Sequence, residues 1–319
     1  MLYGIEDFEI KKEKLNVKKV IIFIAIILAC FLIIFFSFLI SYKTINKNNS
    51  NQEVATNNVQ TNSAEKAKAK NNKNKDQVEI VEREFKISKH DIEKIKAKCI
   101  PEKNDNAKNE IKSIYTSEEK QVYLTFDDGP SKTITPQILD ILKRENVPAT
   151  FFVLGYRVDL APDVLKRAYE EGHYIANHGY SHKYSQIYDS AESTWNEYLQ
   201  CEQSIKDALK NQDYNSYLFR FPGGSSGGKY EDIKEGARKI FDENKIAYTN
   251  WNCLTGDAAG AVTKEEQLQS MIDSKEDNQS IILLMHDASD KQVTVETLPE
   301  VIQYFKEQGY VFKNFYEIF

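Results

Sequence analysis

Val122-Tyr123-Leu124-Thr125-Phe126-Asp127-Asp128-Gly129-Pro130 is an apolar run that ends in two adjacent carboxylates and a Gly-Pro turn signal. Such a run reads as a buried strand, which puts both acids at its mouth, where α/β proteins keep their reactive groups. Asp, Gly and Pro are also ordinary turn residues, so Asp-Asp-Gly-Pro taken alone is equally a plain turn.

Outward from this strand, apolar runs alternate with amphipathic stretches from Tyr115 to the C-terminus. Further strands are predicted at Thr150–Leu154, Tyr174–Ala176, Tyr217–Phe221, Ala247–Trp251, Ser280–Met285 and Tyr310–Phe312. Helices are predicted between them, at Pro136–Glu145, Pro162–Glu171, Ala191–Lys210, Tyr230–Asn244, Lys264–Asp277 and Val295–Gln308. Alternating β and α elements imply a parallel sheet, and this many units imply closure toward a barrel. Roughly 200 residues are few for eight full units, so the expected fold is α/β, a distorted and incomplete (β/α) barrel. No internal repeat is evident.

Titratable residues recur at the ends of these strands. His178-Gly-Tyr-Ser-His182 follows the strand at Tyr174 and holds two of the five histidines. Histidines four apart can face one direction on a helical turn and reach one metal ion, the alternative being surface or core-satisfied side chains. His173, at a helix-to-strand turn, reads as structural. Arg220-Phe-Pro222-Gly223-Gly224 ends another strand; the paired glycines make a tight loop whose N–H groups can face a ligand. Arg220 there can hold a carboxylate ionised, or be a surface residue of a simple turn. Ile281-Ile-Leu-Leu284-Met285 leads into His286-Asp287, a titratable pair at a strand mouth, and His suits proton donation near neutral pH. Together the set fits metal-assisted hydrolysis, with two His and one carboxylate on the ion and open positions for water and a substrate oxygen.

The chain has 319 residues, 41% of them hydrophobic, and a net charge of −6, which gives no case for a nucleic-acid partner. Its four cysteines, Cys30, Cys99, Cys201 and Cys253, follow no metal spacing. Cys201 and Cys253 either pair, if the domain is extracellular, or are buried free thiols. Val20 to Ile40 is uncharged and apolar but for Ser37, long enough to cross a hydrocarbon core of about 30 Å. A cleaved signal peptide is the alternative, but no small-x-small site follows the run. Lys11, Lys12, Lys14, Lys18 and Lys19 precede it, whereas Lys43 and Lys47 closely follow. This bias predicts a single N-terminal transmembrane helix with residues 1–19 cytoplasmic and everything after Ile40 outside, as a single-pass cell-membrane protein. Residues 41–77 are polar and lysine-rich, a flexible linker. Residues 78–113 form a stalk or small accessory segment, in which Ser88-x-x-Asp91 caps a short predicted helix. The main domain is 114–319.

From Tyr115 onward the sequence resembles the polysaccharide deacetylase family, the NodB-homology carbohydrate esterases. Thr125–Pro130, His178-x-x-x-His182, Arg220-x-Pro222-Gly223 and Leu283-Leu-Met-His286-Asp287 resemble four of its motifs in order. The resemblance implies that Asp128, His178 and His182 bind a divalent metal, zinc first among them. It implies that Asp127 is the general base for the attacking water, that Arg220 orients Asp127 and favours its charged form, and that His286 protonates the leaving amine. Gly223 N–H would stabilise the oxyanion and Leu284 would line the acetyl pocket. Trp251-Asn-Cys-Leu-Thr-Gly-Asp257-Ala258 departs from the remaining motif. Asp257 can still hydrogen-bond His286, but Ala258 stands where many relatives have Trp, so either Trp251 fills the wall or the pocket is wider.

The expected activity is removal of N-acetyl groups from a cell-wall polysaccharide, N-acetylglucosamine of peptidoglycan first. N-acetylmuramic acid, an exopolysaccharide and chitin-like oligomers are the alternatives. A non-catalytic wall-binding protein on the same scaffold would have no use for Asp127, Asp128, His178, His182 and His286 together.

Overall fold

The computed structural model describes residues 100–319. The apolar segment 20–40, the linker and the capped helix expected at Ser88 lie outside the described residues. Among those described, no helix is long and apolar enough to cross a membrane.

The central strand β1 (Gln121–Asp127) is buried along its whole length, as expected of an apolar run covered on both faces. Around it stand β2 (Thr150–Val153), β3 (Tyr174–Asn177), β4 (Leu218–Phe219), β5 (Ala247–Tyr248), β6 (Cys253–Leu254), β7 (Ser280–His286) and β8 (Val311–Lys313). All pairs are parallel, in the order β5-β4-β3-β2-β1-β7-β6. β7 pairs with β1 from Gln121↔Ser280 to Asp127↔His286. On the other edge of β1, β8 takes Gln121–Tyr123 and β2 takes Thr125–Asp127.

The sheet is curled, and chain length alone requires it. A flat seven-strand path would be about 29 Å wide at the usual strand spacing. Only residues 249–252 join its two edge strands, a reach of at most about 18 Å. Side chains hold the residues that connect the two edges. Tyr115 Oη contacts Thr249 Oγ1 at 2.9 Å and accepts from Asn250 N at 3.0 Å. Asn252 accepts from Ile282 N and donates to Ser280 O, both at 2.8 Å. The expected incomplete barrel is therefore present. The expected strand Ala247–Trp251 stops after two residues, because Asn250 and Asn252 offer the backbone other partners. The expected strand Tyr217–Phe221 pairs only at Leu218–Phe219, since Tyr217 has φ 49°.

Helices α1 (Ala107–Ile114), α2 (Thr135–Glu145), α3 (Gly155–Leu160), α4 (Pro162–Glu170), α5 (Tyr184–Ile187), α6 (Ala191–Leu209), α7 (Glu231–Glu243), α8 (Lys264–Lys275) and α9 (Gln292–Glu307) fill the connections. α1, α3 and α5 have no counterpart among the predicted helices. α1 falls in the segment assigned to a stalk, yet its apolar positions Ala107, Ile111 and Ile114 share one buried cluster with Tyr123, Phe152, Tyr174, Ile282 and Phe315. Spacing i, i+4, i+7 gives α1 a single apolar face to set against the sheet.

The two faces of the strands bury different cores. Val122, Leu124 and Phe126 pack outward against Ile138, Leu142, Leu298 and Ile302 of α2 and α9. Tyr123, Phe152, Tyr174, Leu218, Ala247 and Ile282 pack inward. Cys201 and Cys253 are both free and buried, so the disulfide alternative fails. Their Sγ atoms instead face Val153 O and Met271 O, each at 3.3 Å.

Candidate active site

Side chains alternate along a strand, so the inward columns can be followed upward to the C-terminal mouth. Tyr123 leads to Thr125 and Asp127, Tyr174 and Ala176 to His178, Leu218 to Arg220, and Ile282 to Leu284 and His286. The register Asp127↔His286 sets the two acid–base candidates side by side. A cavity of about 300 Å³ at this mouth is lined by Asp127, Asp128, His178, His182, Gly223, Trp251, Asp257, Leu284 and His286, whereas Arg220 and Asp287 lie outside its lining.

Arg220 lies behind Asp127 and is fully buried. Its Nη1 donates to Asp127 Oδ1 and to Thr125 Oγ1, both at 2.8 Å, and its Nη2 to Asn250 O at 3.0 Å. The guanidinium stacks on the Phe152 ring at 3.9 Å, a further favourable site for a buried cation. Burial pushes the Asp127 carboxyl up, and the Arg220 and His286 charges oppose it. Burial outweighs them, and Arg220, pulling toward the charged form, limits the rise. A raised carboxyl is the better proton acceptor.

Asp128 takes φ 71° in the tight turn after β1, which swings its carboxylate toward the histidines. His182 Nε2 lies 3.3 Å and His178 Nε2 3.6 Å from Asp128 Oδ1. One ligand atom from each of the three falls within 4.8 Å of the others. The donor set fits a divalent cation on independent grounds. Asp128 Oδ1 is buried with no hydrogen-bond partner among the described residues, which is costly unless something positive faces it. His178 Nδ1 lies 2.7 Å from Arg220 O, a pure acceptor, so the proton sits on Nδ1 and Nε2 presents its lone pair. Burial pushes His178 down to about 3, which keeps that lone pair free. Three protein ligands with open positions is the catalytic rather than the structural pattern.

The bridge between the two histidines hangs from Glu197 of α6. This buried carboxylate accepts from Tyr180 N at 2.8 Å, Ser181 N at 2.6 Å and Ser181 Oγ at 2.7 Å. Sequence reading missed it, because its partners lie 16 or 17 residues upstream and meet it only through helix packing. Glu197→Ala is expected to weaken divalent-ion affinity about 10–100-fold by loosening His182. Titration against a competing chromogenic chelator measures this. Unchanged affinity with a lowered melting temperature would reduce Glu197 to scaffold.

Across the cavity His286 Nδ1 meets Asp257 Oδ1 at 2.8 Å. Asp257 Oδ2 also accepts from His286 N at 2.8 Å and from Thr294 Oγ1 at 2.9 Å. Burial disfavours charge on His286, but the Asp257 hydrogen bond and charge, helped by Asp127 and Asp128, hold it up at about 9. Asp257 itself sits below its ordinary value, burial being outweighed by His286 and Thr294. The sequence pair His286-Asp287 is split by the strand. Asp287 points away from the cavity, accepts from Thr135 Oγ1 at 2.6 Å, and leaves room for no side chain at Gly129. Burial raises its carboxyl to about 7. It buttresses the Asp127–Pro130 turn instead of facing the cavity. Leu284, Trp251, Ala258 and Ala259 line the apolar side of the cavity. Tyr184 also lines the cavity and was not singled out from the sequence, although it lies two residues past His182.

This chemistry agrees with what the chain is similar to. A family model described as polysaccharide deacetylase matches residues 115–240. A peptidoglycan-N-acetylglucosamine deacetylase of Bacillus cereus is 33% identical over 206 residues, covering 63% of this chain and 71% of that protein. The chain belongs to the polysaccharide deacetylase family. A peptidoglycan-N-acetylmuramic acid deacetylase of Bacillus subtilis is 31% identical, with 62% of this chain and 71% of that one covered. Among solved structures, a Streptococcus mutans CE4 esterase superposes with a TM-score of 0.58 at 31% identity, over 64% of this chain and 90% of its own.

Proposed function

We propose that this chain is a metal-dependent N-deacetylase of a cell-wall polysaccharide, acting on N-acetylglucosamine of peptidoglycan. The observation that carries the reading is one cavity with three kinds of group around it. Asp128, His178 and His182 converge on one side, Asp127 backed by Arg220 stands beside them, and His286 backed by Asp257 faces both. A divalent cation, zinc by the donor set, would be held by Asp128, His178 and His182 and would supply Lewis-acid polarisation of the acetyl carbonyl and the attacking water.

The remaining steps belong to the protein. Asp127 takes a proton from the water as its oxygen bonds to the carbonyl carbon. Gly223 N–H faces the developing oxyanion. His286 gives its proton to the amide nitrogen as the C–N bond breaks, releasing acetate and a free amine. The Asp127 and His286 protons then exchange with solvent and the site resets. Leu284 and Trp251 enclose the acetyl methyl group.

Peptidoglycan is favoured over other glycans by the Bacillus cereus relative's substrate and by the membrane helix and linker read from residues 20–77. About thirty flexible residues give a root-mean-square reach of about 30 Å, enough to serve an insoluble wall from the membrane. Protease added to intact cells is expected to remove the catalytic domain; full protection would refute the outward orientation. N-acetylmuramic acid, the substrate named for the Bacillus subtilis relative, is the second reading. The test is acetate release from purified peptidoglycan by the full-length protein, with and without zinc, followed by mass spectrometry of the wall fragments. Metal-dependent release with a free amine on glucosamine supports the proposal. Release from muramic acid moves the substrate to the second reading, and no release with any divalent metal rejects the activity.

A further inference from the structure

The assignments above leave one polar group of the cavity without a task, the Tyr184 hydroxyl. The Tyr184 ring stands edge-on to His182, with centroids 5.8 Å apart and planes at 86°. From the far side it is held by Tyr188 and Tyr230, at centroid distances of 5.6 and 6.1 Å. Its hydroxyl lies directly over Gly223, where an added Cβ would come within 2.6 Å of Oη. Gly223 also has φ 70°, so a side chain there would be strained and would have to displace the Tyr184 hydroxyl. Within one residue Cβ and N are about 2.5 Å apart, so Tyr184 Oη is at most about 5 Å from Gly223 N. Two donors that close can share one oxygen placed roughly 2.7–3.1 Å from each.

We propose that the Tyr184 hydroxyl is a second protein donor to the oxyanion, sharing that oxygen with Gly223 N–H. This rests on the deacetylase reading of the cavity. The phenol keeps its proton throughout. Its hydrogen bond tightens as the carbonyl oxygen gains the electron pair during water addition, and slackens when the C–N bond breaks and the carbonyl reforms. A donor placed for the tetrahedral oxygen binds the transition state better than the planar amide, so its loss lowers kcat more than it raises KM. A ring that served only as a wall for the sugar would act through KM, and phenylalanine would replace it without loss.

Tyr184→Phe keeps the ring against His182, Tyr188 and Tyr230 and removes only the hydroxyl. With full-length protein and zinc, kcat for acetate release from peptidoglycan is expected to fall about 10–10²-fold, with KM within about twofold. Unchanged kcat, or a change confined to KM, overturns the proposal. Calorimetric titration of the zinc-loaded protein with acetate supplies a readout without turnover, the carboxylate oxygen standing for the oxyanion. Tyr184→Phe is expected to weaken acetate binding about fivefold. If the wild type releases no acetate from any glycan, the deacetylase reading fails on its own. The titration then still decides whether the hydroxyl serves an anionic oxygen, and equal acetate affinities reject it.

Discussion

Asp127→Asn is expected to lower the rate of acetate release about 10²–10⁴-fold, the span for loss of a general base. The geometry argues for the upper end. An amide cannot take the water proton, and neither other carboxylate lining the cavity among the described residues is free to do so: Asp128 Oδ1 is turned toward His178 and His182, and Asp257 is committed to His286 and Thr294. The substitution also bears on stability. Arg220 is fully buried and keeps Thr125 Oγ1, Asn250 O and the Phe152 face, but its charge loses the only carboxylate it touches among the described residues. An asparagine oxygen still accepts from Nη1, so the cost is about 1–3 kcal/mol rather than that of a wholly broken pair. For a domain of this size that is a fall of about 2–4 °C in melting temperature per kcal/mol. Acetate release and a thermal melt on the same sample separate the effects. A folded variant retaining more than about a tenth of the rate would falsify the base assignment.

What the sequence disclosed, and what it hid, divides along the length scale of the contacts. Asp127, His178, Arg220 and His286 were legible because each ends a short apolar run, and a strand's two-residue period carries one face to the mouth without further information. The closure of the sheet was legible only as a count of elements. That it stays open between β5 and β6 depends on Asn250, Asn252 and Tyr115, whose partners include residues tens of positions away in the chain. β6 itself was hidden because two residues, Cys253 and Leu254, give no period to read. Glu197, Thr294 and Tyr184 were hidden for a related reason. Glu197 sits in ordinary helix and Thr294 at the edge of one, so only packing brings them to the histidine loop and to Asp257. Tyr184, two residues past His182, lies in a four-residue helix too short to read. Asp287 is the instructive reversal: adjacency to His286 in sequence meant opposite faces in the strand.

Asp257→Asn is expected to change the pH profile more than the maximal rate, and the sign follows from His286. As proton donor, His286 works only while protonated. With Asp257 beside it the imidazole holds its proton up to about 9, against the effect of burial. An asparagine removes the charge and leaves burial unopposed by its main counterweight, so the pKa falls to the ordinary histidine value of about 6.5 or below. At pH 8 the protonated fraction then drops about 30-fold, whereas near pH 6 it drops less than about twofold. The basic limb of kcat/KM should therefore move from near 9 to about 6.5 or lower. His286→Gln should instead lose activity at every pH, with no limb left to move. Stability supplies a second readout with its own sign. A histidine whose folded value lies above its unfolded one stabilises the fold fully below the unfolded value, and that contribution is lost as pH rises through about 9. The melting-temperature gap between wild type and Asp257→Asn should accordingly be widest near pH 6 and narrow by pH 9 to 10. A rate loss that is the same at pH 6 and pH 8 would mean that Asp257 holds His286 in place without holding its proton.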